Sequence, residues 1–323
     1  MRAVQAQRFG GPEVLETAEV PAPRPGPGQV LVDVEAVDVL FVETQVRSGW
    51  QAQMWGIEHP WTPGDGVAGR VADVGPGVDR AWLGGRVVAT AGSSGAYAER
   101  VVAAEETLAP VPDGVSSRAA VALVHDGRTA RILLEGTGAA KGERVLVTAA
   151  AGGLGLVLVQ LARAAGAEVV GAARGESKLD LVRSMGAGAA VDYSAPDWPD
   201  RVRDAFGGSG PDAVYDGAGG SIGARAFAIT RDGGRVSAHG APGGGFADIA
   251  AEDAERRGIV VRGVEYAQPA AADSARLIGE VLADAAAGRL HTPVGAVFGL
   301  ERAADAHALL ESRAVLGKVL LAP

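Results

Sequence analysis

One stretch constrains this chain more than any other. Val145-Leu146-Val147-Thr148 leads into Ala149-Ala150-Ala151-Gly152-Gly153, and an apolar-rich run follows from Leu154 to Ala165. The four opening residues suit a strand buried on both faces, and the run after the turn has the length and periodicity of a helix. Strand, glycine turn and helix in this order form the dinucleotide-binding fingerprint. Ala150 takes the first glycine position, Gly152 the second and Gly155 the third. The middle glycine lets the backbone approach a pyrophosphate, and the last lets the helix pack on the strand. The helix start, at Gly153 and Leu154, offers unpaired N–H groups to the anion. A ligand-free glycine turn has the same local pattern. The flanking buried strand and helix favour the cofactor.

The next strand, Glu168-Val169-Val170-Gly171-Ala172-Ala173-Arg174, bears on which nucleotide fits. An NAD-specific site places Asp or Glu at its end to hold the ribose hydroxyls. Here Ala172-Ala173 end it, and Arg174, Ser177 and Lys178 follow. Those groups suit a 2′-phosphate, so NADPH is the expected cofactor. The alternatives are that Arg174 and Lys178 solvate a helix start, or that Glu176 holds a ribose.

With 323 residues, two domains are expected. The first hundred residues read as short strands: Val30–Ala36, Val67–Val74, Arg86–Thr90 and Gly95–Val102. From about Ala119, helical and short apolar segments alternate as far as Ile259–Gly263, which predicts a doubly wound parallel sheet. Two helices, at 273–287 and 301–311, and a strand at 315–321 complete the chain. The net charge of -9, with no block of Lys and Arg, argues against a nucleic-acid partner. Cys is absent, which removes disulfides, thiolate catalysis and every Cys-containing zinc site. Met1-Arg2-Ala3-Val4-Gln5 has no apolar run of the signal-peptide kind. The uncharged stretch 145–162 is nominally long enough to span a membrane, but its glycines suit strand, turn and helix far better. A cytoplasmic protein with no membrane partner is expected.

Several segments resemble a known family. Gly10-Gly11-Pro12-Glu13-Val14-Leu15-Glu16, Pro25-Gly26-Pro27-Gly28-Gln29-Val30-Leu31-Val32 and Val46-Arg47-Ser48-Gly49 are similar to zeta-crystallin-like, zinc-independent quinone oxidoreductases of the medium-chain dehydrogenase/reductase superfamily. So are Gly95-Ala96-Tyr97-Ala98-Glu99, the loop at 149–155 and Gly317-Lys318-Val319-Leu320. The resemblance spans the whole chain, in order. It implies an α/β fold: a GroES-like β-rich catalytic domain from residues 1–118 and 266–323, and a Rossmann NADPH-binding domain at 119–265. It implies an active site in the cleft separating them, and a homodimer pairing the Rossmann edge strand Ile259–Gly263. By the same resemblance Lys178 and Tyr193 line the adenosine-phosphate pocket, Thr129 and Gly240 flank the nicotinamide, and Lys318 belongs with the cofactor residues.

The departures bear on the substrate. Zinc-dependent relatives carry Gly-His-Glu where this chain reads Gly64-Asp65-Gly66, so no metal is expected. The quinone reductases usually show Asn at Leu40, Asp at Glu43 and Tyr at Trp50, three positions expected to line the substrate pocket. The function implied is hydride transfer from NADPH to a quinone or small α,β-unsaturated carbonyl. An enoyl-thioester reductase, supported by Arg128 and Arg131, is the second reading, and a catalytically weak NADPH-binding sensor or assembly protein the third. Without the amide at Leu40, the hydrogen-bond donor to the reduced oxygen must come from elsewhere. His125, Tyr97 and His59 are the candidates. His125 could instead be a helix-start histidine paired with Asp126, Tyr97 a packed strand residue, and the Trp50, Trp55 and Trp61 around His59 simple loop anchors. His239 beside Gly240 is a further residue at the nicotinamide end or a hydrogen-bonded filler.

Overall fold

A computed structural model describes residues 1–52, 56–92, 94–267 and 271–323, with the backbone alone at 271 and 272. Trp55 lies outside the described residues. The chain forms two units, Met1–His125 with Ala271–Pro323, and Asp126–Ala270.

In chain order, β1 (Arg2–Ala6) and β2 (Leu15–Glu19) pair as an antiparallel ribbon. Then come β3 (Gln29–Val39), α1 (Phe41–Arg47), β4 (Gly66–Val74), β5 (Arg86–Thr90), β6 (Arg100–Ala104) and β7 (Ala109–Pro110). The long α2 (Ser117–Thr137) carries the chain into the second unit. There β8 (Arg144–Thr148), α3 (Gly153–Ala164), β9 (Glu168–Ala173), α4 (Glu176–Ser184) and β10 (Ala189–Asp192) form the first half. The second half is α5 (Trp198–Ala205), β11 (Ala213–Asp216), α6 (Gly220–Ile229), β12 (Arg235–Ala238), α7 (Ala251–Arg256) and β13 (Val260–Gly263). The chain then returns to the first unit as α8 (Ala271–Ala286), β14 (Val294–Gly299), α9 (Ala303–Ser312) and β15 (Lys318–Ala322).

The first unit is built on a seven-stranded sheet in the order β14-β15-β3-β4-β5-β7, with β6 also on β3. Only β14 and β15 run parallel. Val121 and Val124 of α2 and Ile278 and Leu282 of α8 bury themselves against Ala36, Ala68 and Leu320 of the sheet. A Val, Leu or Ile side chain fully buried in this way contributes roughly 1.5–3 kcal/mol. Another cluster, including Val32, Val67, Val101 and Val319, gathers Tyr97 and Trp61.

The second unit is a six-stranded parallel sheet in the order β10-β9-β8-β11-β12-β13. Leu146, Val170, Val214 and Val236 fill its middle, covered in part by Trp198, Phe206 and Phe227. The order reverses between β8 and β11, and in such sheets ligands bind beyond the carboxyl ends of the strands at the reversal.

The α/β architecture is the expected one. The units divide inside α2, at 125/126, and again at 270/271, where the sequence reading set 118/119 and 265/266. The strand expected over Gly95–Val102 begins only at Arg100. Gly95 has φ +100°, and the following residues are tied singly, Tyr97 to Pro63 and Val4, Glu99 to Arg2, instead of along one ladder. Among the described residues no helix is long and apolar enough to cross a membrane.

Candidate functional site

In the second unit the chain leaves β8 through Ala149, held at φ +51°, and turns on a hydrogen bond from the Gly152 N–H to the Ala149 carbonyl (3.0 Å). Ala150 is buried, its N–H donating to Ala172 of β9. Gly152, exposed, is the N-cap of α3 and has no side chain to cap it. The N–H groups of Gly153, Leu154 and Gly155 therefore end the helix without a side-chain acceptor. A Cβ at Gly155 would stand 2.6 Å from the Ala149 oxygen and 2.7 Å from Ala150 Cα, so the loop closes only on glycine. An uncapped helix start beneath a turn without bulky side chains can take a diphosphate.

Two adjacent strand ends assemble a polar rim. Ala173 and Asp192 are paired in register, so Arg174 and Tyr193 leave β9 and β10 side by side. Ser177 and Lys178 lie in the first turn of α4, the one exposed and the other half-buried. Asp192 accepts from the Gly175 N–H (3.0 Å) and from Ser194. Burial pushes its carboxyl upward, but these bonds and the Arg174 charge hold it below the usual range. Glu176, the alternative ribose partner, is ion-paired with Arg183 at 2.7 Å.

At the sheet reversal lies a group that sequence reasoning missed. Thr148 Oγ1 donates to Asp216 (2.6 Å), which also accepts from the Ala218 and Gly219 N–H groups. Burial raises the Asp216 carboxyl. Gly240 packs so tightly that a Cβ there would lie 2.1 Å from the Gly217 backbone. His239 Nδ1 is 3.0 Å from Ser237 Oγ, and burial lowers its imidazole to about 4, so the ring is neutral. Thr129 sits half-buried on α2.

The first unit holds a buried ionic cluster around His125. Its Nδ1 lies 3.2 Å from Asp38 Oδ2 and its Nε2 2.9 Å from Asp65 Oδ2. Asp38 is fully buried at the end of β3, and Lys318 Nζ at the start of β15 is 2.6 Å from its Oδ1. Burial would lower the His125 imidazole, but the bonds to Asp38 and Asp65 outweigh it and raise it to about 9. With a carboxylate on each nitrogen the ring is an imidazolium. Asp38 is pushed up by burial yet held below its ordinary value by Lys318 and His125. Gly66 makes room for this arrangement: a Cβ there would be 2.7 Å from His125 Cε1. The alternative pairing of His125 with Asp126 at a helix start gives way to mid-helix contacts with β3 and the 64–66 turn. Lys318, expected among the cofactor residues, instead neutralises Asp38 in the sheet of the first unit.

The remaining candidates divide. Tyr97 is fully buried, its hydroxyl 2.7 Å from Glu43 and 2.9 Å from His307 Nε2. Burial and the neighbouring Glu43 raise it well above its ordinary value, so it is a packed residue and a poor proton donor. Glu43, expected in the substrate pocket, is buried too, and burial pushes it up to about 7. Its carboxyl accepts from the Leu40 N–H (2.9 Å). Leu40 precedes α1 and has no side-chain oxygen to return, so only half of a capping box exists. His307, lowered by burial to about 3, completes the group. His59 Nδ1 lies 3.0 Å from the Ala6 oxygen, with its ring edge-on to Phe9 at 4.5 Å. Trp50 is half-buried in the turn after α1, and Trp61 is buried in the core. Asp38 and His307 went unread in the sequence, and Asp65 was read only as the residue at the zinc relatives' His position. The Gly64-Asp65-Gly66 triplet was their one signal: a Cβ at Gly64 would meet Tyr97 at 2.4 Å, so each glycine clears space for a buried ring.

Residues 26–113 match the alcohol dehydrogenase GroES-like domain and residues 153–278 the zinc-binding dehydrogenase family. The sequence has no Cys, and among the described residues no three His, Asp or Glu side chains are arranged to hold an ion. The chain is 33% identical to the quinone oxidoreductase of Rattus norvegicus, over 99% of this chain and 97% of that protein. It is 33% identical to the 2-haloacrylate reductase of a Burkholderia species, over 99% and 98% of the two chains. The Escherichia coli quinone oxidoreductase solved with NADPH superimposes with a TM-score of 0.91 at 28% identity, covering 100% of both chains. On this likeness along its whole length, the chain belongs to the zinc-independent, zeta-crystallin-like quinone oxidoreductase branch of the medium-chain dehydrogenase/reductase superfamily.

Proposed function

We propose that this protein reduces a quinone or a small α,β-unsaturated carbonyl compound with NADPH and without zinc. The observation that carries the reading is the uncapped, glycine-lined start of α3 at the sheet reversal, in a chain so like quinone oxidoreductases throughout. When bound, NADPH supplies a hydride from its nicotinamide ring. Ala150, Gly152, Gly153, Leu154 and Gly155 hold the pyrophosphate, and Thr129 and Gly240 flank the nicotinamide. Arg174, Ser177, Lys178 and Tyr193 hold the 2′-phosphate end. The absence of an acid at the end of β9 supports NADPH over NADH, as does the NADPH bound to the Escherichia coli relative.

The reading extends to assembly as a homodimer through β13. That strand is the edge of the six-stranded sheet, and Val260, Val264 and Tyr266 on and beside it are exposed. An open edge with apolar side chains favours pairing with a second copy.

The test is NADPH oxidation by the purified protein across a panel of quinones and enones, with NADH as control. Turnover with NADPH and persistence of activity in chelator are expected. Tight NADPH binding without turnover of any acceptor would overturn the catalytic reading.

A further inference from the structure

On the NADPH reading, a dinucleotide lies across the carboxyl ends of the six-stranded sheet, and the strand order tells its two halves apart. Arg174 and Tyr193, just past β9 and β10, lie on one side of β8. The pyrophosphate turn follows β8 itself. The nicotinamide half therefore belongs on the other side, at the ends of β11 and β12. His239 leaves β12 at that place. Its ring reaches back past the end of β11 toward the turn after β8. A Cβ at Gly217 would stand 3.5 Å from His239 Nε2 and 3.6 Å from Ala149 Cβ.

The polar groups around this ring are paired with one another. The Asp216 carboxyl accepts from Thr148, Ala218 and Gly219, and its backbone oxygen from the His239 and Gly240 N–H groups (3.1 and 2.9 Å). Gly243 donates to the Ala218 oxygen and Gly220 to the Gly245 oxygen. His239 Nε2 differs: the ring is half-buried, and among the described residues no group bonds to that nitrogen. The other nitrogen decides what Nε2 carries. Burial outweighs the pull of the Ser237 backbone toward the charged form, so the ring is neutral. Ser237 is fully buried, and Nδ1 is the one partner of its hydroxyl among the described residues. A buried hydroxyl hydrogen needs an acceptor, so Oγ donates to Nδ1 and the ring keeps its hydrogen on Nε2. A histidine serving only to fill space would leave no donor unspent at the edge of the sheet where ligands bind.

We propose that His239 is a cofactor-binding residue whose Nε2–H donates to the carboxamide oxygen of the nicotinamide ring. This rests on the NADPH reading above. Ser237 is a positioning residue, because its hydroxyl fixes the tautomer of the imidazole. Gly217, with no side chain, keeps the space beside Nε2 clear. The bond holds the carboxamide in one orientation and has no grip on the adenosine half.

Binding measurements test this without turnover. Calorimetry compares NADP⁺ with its thionicotinamide and acetylpyridine analogues, and adenosine 2′,5′-bisphosphate is the control for the other half of the site. The thioamide sulfur is a poor acceptor, whereas the acetylpyridine keeps the oxygen and loses only the amide nitrogen. The unaltered protein should bind NADP⁺ about 2–10-fold more tightly than the thio analogue, the range for one neutral hydrogen bond. His239→Leu should abolish that preference, and His239→Gln, which keeps an N–H at similar reach, should retain part of it. Neither variant should change the acetylpyridine ratio or the affinity for the bisphosphate. Proton–nitrogen NMR of the nucleotide-free protein should show the His239 ring, absent in His239→Leu, with its hydrogen on Nε2. A hydrogen on Nδ1, no thio preference in the unaltered protein, or a preference that survives His239→Leu overturns the proposal and leaves the NADPH reading standing. Failure of the unaltered protein to bind either NADP⁺ or the bisphosphate sinks both.

Discussion

On the proposed assignment, a 2′-phosphate brings up to two negative charges close to Arg174 and Lys178, whereas the ribose hydroxyl of NADH brings none. A charged hydrogen bond contributes about 1.5–3 kcal/mol, so Lys178→Ala should weaken NADPH binding by roughly 10–100-fold and barely change NADH binding. Fluorescence titration of both nucleotides measures this, and equal losses would remove the 2′-phosphate assignment. His125 carries a second consequence. Its pKa is raised from 6.5 to about 9 by folding, so its stabilisation is whole below pH 6.5 and is lost as pH rises through 9. Urea unfolding should find the gap in stability between the unaltered protein and His125→Gln shrinking across that window, by on the order of 3 kcal/mol. A gap that stays constant with pH would mean that the ring is not charged in the fold. The two cases differ in legibility. The expectation for Arg174 and Lys178 comes from their place just after β9, Arg174 at the strand end and Lys178 in the first turn of α4. Asp38 could not be read, because in Val37-Asp38-Val39 it has the alternation of a solvent-facing strand residue, and the distant His125 and Lys318 make its burial tolerable.

The turn into α3 is governed by backbone clearance. Gly155→Val adds a Cβ within 2.7 Å of the Ala149 and Ala150 backbone, which has to move. The expected result is a loss of nucleotide binding, with stability down by about 1–3 kcal/mol, followed by nucleotide titration and thermal melting. Unchanged affinity would show that the loop tolerates side chains and was misread. This element was legible because a Gly pattern, a buried strand and a helix coincide within a dozen residues. Other elements carried no such coincidence. α1 starts after Leu40, which has no capping side chain, and α6 opens on Gly220 after Gly219, both at positive φ, so neither announced itself as a helix. β1 and β2 are short and only partly buried, and their pairing depends on a partner rather than on composition. At Gly95–Glu99 the sequence alternates like a strand, but Tyr97 turns fully inward to Glu43 and His307, and the ladder begins after it.

For the whole molecule, the β13 edge makes a testable demand. Val260 is 52% exposed on that edge, and Val260→Lys should convert the expected dimer to monomer without disturbing the sheet core. Sedimentation velocity reads the outcome, and a variant that remains dimeric would move the interface elsewhere. A last consequence comes from the return of the chain to the first unit. The second unit is one continuous segment, and all six of its strands are available once residue 263 has been made. The first unit is not: β15, pairing with β3, follows the whole of the second unit in chain order. Until Lys318 leaves the ribosome, Asp38 has a carboxylate with no cation from β15 to offset its burial. The first unit therefore waits for its last strand while the second, made in between, can already fold, and the pairing of Asp38 with Lys318 joins its early and late segments.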